Sequence, residues 1–149
     1  MNGDSTLFHY TEITEDVKRI IEQDPVRPNI SIHDRIGRNR YIAGIGDKSD
    51  PEAIVCYSLL DYVPAYEEEL FYDDCIVHDI ACLYTIWSIK KGAARKLVFE
   101  MLKHLKVERD VYRIVTLSPI TDMAKRFHLN NGAFLYRENE LTINYEYPL

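Results

Sequence analysis

Along residues 11–23 the apolar side chains Ile13, Val17, Ile20 and Ile21 recur at i, i+4, i+7 and i+8. That spacing gathers them on one face and predicts a helix. Asp24-Pro25 closes it, because the residue before a proline avoids helical backbone. Residues 26–39, with Pro28, Gly37 and mixed charge, read as irregular. Residues 40–46 and 52–63 are rich in apolar and β-forming side chains and predict two strands. The polar stretch Asp47-Lys48-Ser49-Asp50-Pro51 between them has turn composition, so the pair reads as a hairpin.

Residues 64–74 are acidic. Residues 75–87 are nearly all apolar apart from His78 and Asp79, which predicts a central strand covered on both faces. Strand alternation puts His78, Ile80, Cys82, Tyr84 and Ile86 on one face and Asp79 on the other. After a short loop, Ala94, Leu97, Val98, Met101, Leu102 and Leu105 form the clearest helical stripe in the chain, with Arg95, Lys96, Lys103 and Lys106 off it. A strand over 111–117 follows. A short helix over 121–131 comes next, ended by Gly132 in the position that favours a left-handed cap. Strands over 134–137 and 141–147 complete the order. The pattern predicts a single α/β domain, one mixed sheet with helices on its faces.

Composition narrows the classes. The chain has 149 residues, of which 46% are hydrophobic and 28% charged, enough for one real core. The formal net charge of -6 disfavours non-specific nucleic-acid binding. No apolar run is long enough to span a membrane, and the first ten residues lack a secretory pattern. Cys56, Cys75 and Cys82 are odd in number and lack CxxC spacing, which argues against a disulfide framework and a zinc site and fits a cytoplasmic setting. The 11 tyrosines read as sheet packing with buried rings and wet hydroxyls.

One segment carries candidate chemistry. In residues 83–97 an apolar strand runs into a loop with glycine and two alanines, and an amphipathic helix starts there. The first amides of a helix have no internal partner, and its dipole adds positive potential. Gly92, Ala93 and Ala94 would let a diphosphate approach the backbone, with Lys90, Lys91 and Arg95 adding attraction. A tight turn packed on the sheet would look the same in sequence.

Here the chain resembles the GNAT N-acetyltransferases. In that family the fourth strand leads into a Q/R-x-x-G-x-G/A loop whose amides hold the coenzyme A pyrophosphate. The loop here is Ile89-Lys90-Lys91-Gly92-Ala93-Ala94: Gly92 and Ala94 match, and Ile89 departs from the pattern. The family's downstream N-x-x-A-x-x-x-Y-x-x-x-G-F segment is similar to residues 121–134. There Ala124 and Gly132 align, Thr121 stands for the Asn and His128 for the Tyr, and Ala133 separates Gly132 from Phe134. The resemblance runs from Arg40 to the C-terminus, and by the same analogy it implies that the irregular 26–39 stretch borders the acceptor site, although nothing in those residues specifies a substrate. It implies a GNAT-like fold, acetyl-coenzyme A as co-substrate without a metal, and an amine acceptor, small molecule or peptide. The implied coenzyme-binding residues are Tyr84, Ile86 and Trp87 on the strand, the 90–95 loop, and Thr121.

The implied chemistry is direct attack of a neutral amine on the thioester. His128, at the tyrosine position, is the candidate acid, with Tyr136 behind it. His78 is the candidate base. The plainer alternatives are a surface histidine for His128 and a satisfied core histidine for His78. Cys82 reads as a buried small hydrophobe. Glu67, Glu68, Glu69, Asp73 and Asp74 would attract a cationic amine, although a solvated loop explains them as well. Three readings stay open: an acetyltransferase, a GNAT-fold binding or structural module without catalysis, and an unrelated α/β domain. A homodimer is among the assemblies left open.

Overall fold

The computed structural model describes residues 6–149. A first strand not expected from the sequence, β1 (Leu7–Tyr10), precedes α1 (Glu15–Ile21). Thr14 caps α1, its hydroxyl accepting from the Val17 amide at 3.2 Å. The hairpin is β2 (Arg40–Asp47) and β3 (Asp50–Leu60), joined across Lys48-Ser49. Then come β4 (Ile80–Ser88), α2 (Ala93–Glu108), β5 (Arg113–Thr116), β6 (Ser118–Pro119), α3 (Asp122–Asn130), β7 (Phe134–Glu138) and β8 (Thr142–Tyr147).

The strands form one sheet in the order β1-β2-β3-β4-β5-β8-β6, with β7 paired to β8. Each pair is antiparallel except β4 and β5, the parallel pair that the α2 crossover joins. The predicted mixed sheet with helices on its faces is therefore the fold. Leu97, Val98, Met101 and Leu105 of α2 pack with Ala81 and Leu83 on one face. Val17, Ile20 and Ile21 of α1 pack with Cys82 and Tyr84 on the other.

Strand β4 departs from the expected pattern in two places. The register between β3 and β4 slips by one residue, Cys56 pairing with Thr85 and Tyr57 with Leu83. An extra residue flips the alternation beyond it. Tyr84 and Trp87 therefore share the α1 face, while Ile86 packs on the α2 face with Leu83, not beside Tyr84 as strict alternation predicts. Second, β4 begins at Ile80, where pairing with Leu60 and Arg113 starts, and not at Cys75. Ile76 is 91% exposed. His78 consequently lies in the preceding loop, its Nε2 3.2 Å from the Cys75 carbonyl, and not on the strand.

The irregular stretch after α1 is held from inside. Asp24 and Arg35 form a buried ion pair at 2.7 Å. The Arg35 guanidinium also donates to the carbonyls of Arg27 and Ile30. This pins the 24–35 loop onto the α1 face of the sheet.

Candidate functional site

The parallel pairing of β4 with β5 stops at Leu83 and Thr116, extended only by the Leu117 amide donating to the Leu83 carbonyl at 3.1 Å. Ser118 and Pro119 turn away to pair with β8. Proline has no amide to give back to β4, so the two strands diverge. A cavity of about 560 Å³ occupies the divergence. Residues 83–88 of β4 form one wall. Ser118, Pro119 and the α3 side chains Ala124, Phe127 and His128 form the other, with Pro25 and Val26 closing one side. Leu83 and Ile86 belong to the α2 face, Tyr84 and Trp87 to the α1 face, so the cavity touches both faces of the sheet.

At one end stands the start of α2. Gly92 caps it with φ +80°, a backbone region that L side chains rarely adopt. Apart from its immediate chain neighbours, nothing lies within 4 Å of where a Cβ would sit, so the approach to this helix tip is open. Two of the first amides are already engaged: Ala93 donates to the Lys90 carbonyl at 3.0 Å, and Ala94 to the Ser88 hydroxyl at 2.8 Å. Lys90 and Lys91 are exposed beside the tip. The Arg95 guanidinium lies 5.4 Å from the centre of the Phe99 ring.

Of the residues expected from the sequence, Tyr84, Ile86, Trp87, Ala94, Thr121 and His128 line the cavity. Lys90, Lys91, Gly92 and Arg95 surround the helix tip at its mouth. Ala93 is buried in the core beneath them. Trp87 Nε1 is buried without a hydrogen-bond partner, a donor at the cavity wall that a ligand oxygen would satisfy. Thr121 caps α3, its hydroxyl accepting from the Ala124 amide at 3.2 Å. His78 is not on the lining: it precedes the other end of β4, several residues from the wall segment. Tyr136 projects from β7 beneath the Arg113 guanidinium, 4.8 Å from its ring centre, and is also off the lining. Cys82 is buried, its thiol pushed up by desolvation, as befits a packing residue.

His128 is 6% exposed, with Nδ1 2.7 Å from the Tyr147 hydroxyl. Burial lowers its pKa to about 4. At neutral pH it is an uncharged imidazole, able to donate one hydrogen bond but holding no spare proton. The acid role expected of it needs the imidazolium, which this burial disfavours.

The family resemblance places the irregular 26–39 stretch beside the acceptor site, and the structure brings Pro25 and Val26 to the cavity as a wall; the residues themselves give no such signal. Asp24-Pro25 signalled only the end of a helix. Nothing local in the residues says that Pro25 and Val26 return to β4.

No family profile and no curated protein matches the chain in sequence. Solved structures do match in shape. Malonyl-CoA decarboxylase from Agrobacterium vitis superposes on 97% of this chain with a TM-score of 0.78 at 18% identity. The GNAT domain of PAT from S. lividans covers 96% of it, and 89% of its own chain, with a TM-score of 0.64 at 17% identity. The chain has the GNAT fold. A Bacillus subtilis acetyltransferase in complex with CoA shares this fold over 96% of the present chain and 97% of its own, with a TM-score of 0.66 at 10% identity. The chain spans 60% of the length of the Agrobacterium decarboxylase. In this chain the divergence of β4 from β5 and the open tip of α2 are the features with room for a ligand.

Proposed function

We propose that this chain is an acyl-CoA-dependent N-acyltransferase that moves an acetyl group from acetyl-coenzyme A to a primary amine. The observation that carries the reading is the cavity between the diverging strands, with an open helix tip at its mouth. One end suits a diphosphate and the other an apolar acyl thioester. Neighbours of the same fold support it, one of them in complex with CoA.

In this reading Gly92 and the start of α2 hold the diphosphate, with Lys90 and Lys91 attracting it. The pantetheine arm lies along residues 84–87, on the edge of β4 that is left unpaired where β5 diverges beyond Leu83. The amine nitrogen attacks the thioester carbonyl carbon, the C–S bond breaks, the nitrogen loses its extra proton and the thiolate gains one. His128, backed by the Tyr147 hydroxyl, hydrogen-bonds the departing sulfur. No metal takes part in this scheme.

A second reading keeps coenzyme binding and drops catalysis. It is favoured by the cavity lining, which among the described residues contains no carboxylate to accept a proton, and by Ile89 at the position of the family's Gln or Arg.

Titration with coenzyme A separates these readings from an unrelated domain. At about 100 times the dissociation constant it should stabilise the fold by about 2.7 kcal/mol. No shift at millimolar coenzyme A sinks both. Thiol release from acetyl-coenzyme A with a panel of amines then distinguishes the transferase from the silent module.

A further inference from the structure

Where β4 and β5 part, two main-chain carbonyls lose their strand partners, and one side chain takes both. Arg27 donates from Nη2 to the Leu117 carbonyl at 2.7 Å and from Nε to the Tyr84 carbonyl at 3.4 Å. Main-chain carbonyls of a strand point toward the neighbouring strand, roughly in the plane of the sheet. The guanidinium therefore sits between the strands, in the plane of the sheet. Its third partner is Glu67, whose Oε1 is 3.2 Å from Nη1. Glu67 Oε2 takes the Asn29 amide at 2.7 Å. The Arg27 side chain is only 11% exposed.

Three facts make this more than a surface ion pair. The partners are all acceptors, one of them charged, which is the donor set a cation requires. They adjoin the cavity: Tyr84 lines it, and Ser118 and Val26, the chain neighbours of Leu117 and Arg27, line it as well. They also lie on the side built by the 24–35 loop and the 3-10 turn Glu67–Phe71, away from α2. With coenzyme A entering at the α2 tip, this is the side left for the second substrate.

We propose that Arg27 fills, from within the chain, a cation site made by the Glu67 carboxylate and the carbonyls of Tyr84 and Leu117, and that this site takes the ammonium or guanidinium group of a cationic acceptor when Arg27 swings out. As an acceptor site it rests on the acyltransferase reading; as a cation site it stands on its own geometry. Arg27 is then a plug, and the acceptor class is a compact cationic amine without an adjacent negative charge, which Glu67 would repel. The long arginine stem is hinged on a backbone that does not need to move. The Arg27 amide donates to Asp24 Oδ1 at 3.0 Å, and its carbonyl accepts from Arg35 at 2.7 Å.

The test is to empty the site and refill it. Full-length Arg27→Ala is titrated with methylguanidinium and with ethylammonium at constant ionic strength, and thermal unfolding is followed. The expected result is that the midpoint of the variant rises by about 3–6 °C at ten times the dissociation constant, while the wild type, already filled, does not move. Should Arg27→Ala not fold, Arg27→Gln, which keeps the stem and one donor group, carries the same titration. Equal responses of variant and wild type overturn the proposal. A parallel coenzyme A titration of the same proteins reports on the acyl-CoA reading separately, so that either idea fails without the other. If both hold, thiol release from acetyl-coenzyme A with 1,3-diaminopropane, one nitrogen held as the ammonium and the other free to attack, should show a lower amine KM in Arg27→Ala than in the wild type. An unchanged or higher KM excludes the acceptor role.

Discussion

Asp24 Oδ2 stands 2.7 Å from Arg35 Nη1, and neither side chain is more than 1% exposed. The other oxygen, Oδ1, accepts from the amides of Val26 and Arg27 at 2.7 and 3.0 Å and from the Thr85 hydroxyl at 2.8 Å. Such a pair tolerates burial because its remaining lone pairs and protons are satisfied. It ties the loop that carries Pro25 and Val26 to the segment of β4 that forms the adjoining wall.

Arg35→Met should therefore cost about 3–5 kcal/mol, since it strands Asp24 as an uncompensated buried charge. Urea unfolding measures it. Asp24→Leu combined with Arg35→Met should cost less than Arg35→Met alone. A loss below about 1 kcal/mol in the single variant would show that the pair does not hold the loop.

Gly92 is tested by two substitutions. Asparagine tolerates the left-handed region, so Gly92→Asn should fold and still bind coenzyme A. Gly92→Glu brings a carboxylate to the helix tip, and there the coenzyme-induced thermal shift should disappear. Retained binding in Gly92→Glu would move the diphosphate site elsewhere.

Much of the architecture could be read from periodicity. The α2 stripe, the hairpin and the left-handed Gly132, at φ +101°, all follow from local chemistry. The misses have physical causes. β1 is four residues long, and its evidence is pairing with β2, a contact distant in sequence. Cys75-Ile76-Val77 is apolar enough to pass for strand, yet pairing begins only at Ile80, so the apolar pattern puts His78 on an element it does not join. The slip near Thr85 depends on how β3 and β4 meet, and it moves Ile86 to the other face from Tyr84. The end of the cavity at the α2 tip is local in sequence, strand then glycine then helix, and its geometry is legible there. The wall from the 24–35 loop, and Arg27 within it, joins residues 57 and 90 positions apart, which no short motif records.

Acid should unfold this protein earlier than its carboxylates alone would suggest. The His128 pKa is lowered to about 4 by burial. That of His9 is lowered to about 4 by burial and then by the nearby charges of His104, Arg109 and Lys48. A histidine in the unfolded chain titrates near 6.5, so the unfolded state binds more protons between these values. The contribution is intact above pH ~6.5 and is lost as the pH falls toward ~4. For His128 the loss at pH 5 is about 2 kcal/mol. Urea midpoints at pH 7 and pH 5 should differ by less in His128→Gln than in the wild type. An equal difference would mean that His128 is already charged in the fold.

The two histidines should separate in activity. On the acyltransferase reading, His128→Ala removes a hydrogen bond to the departing sulfur and should slow amine-dependent thiol release by about 10²-fold. His78→Ala, in the loop at the far end of β4, should leave the rate unchanged. The reverse pattern would place the reacting thioester at the wrong end of the strand.

Ser88 offers the sharpest check on where the diphosphate binds, because its hydroxyl holds the Ala94 amide at the helix tip. Removing such a cap costs about 1 kcal/mol when nothing replaces it. If coenzyme A takes the same amide, the cap is already displaced in the complex, and Ser88→Ala costs nothing there. The cycle then requires that Ser88→Ala lower the stability of the free protein by about 1 kcal/mol and tighten coenzyme A by the same amount, about fivefold in dissociation constant. Calorimetric titration and unfolding of the free variant measure the two sides independently. Destabilisation without tighter binding would mean that the ligand leaves the Ser88–Ala94 bond intact, and the diphosphate would then have to contact the helix tip through other amides.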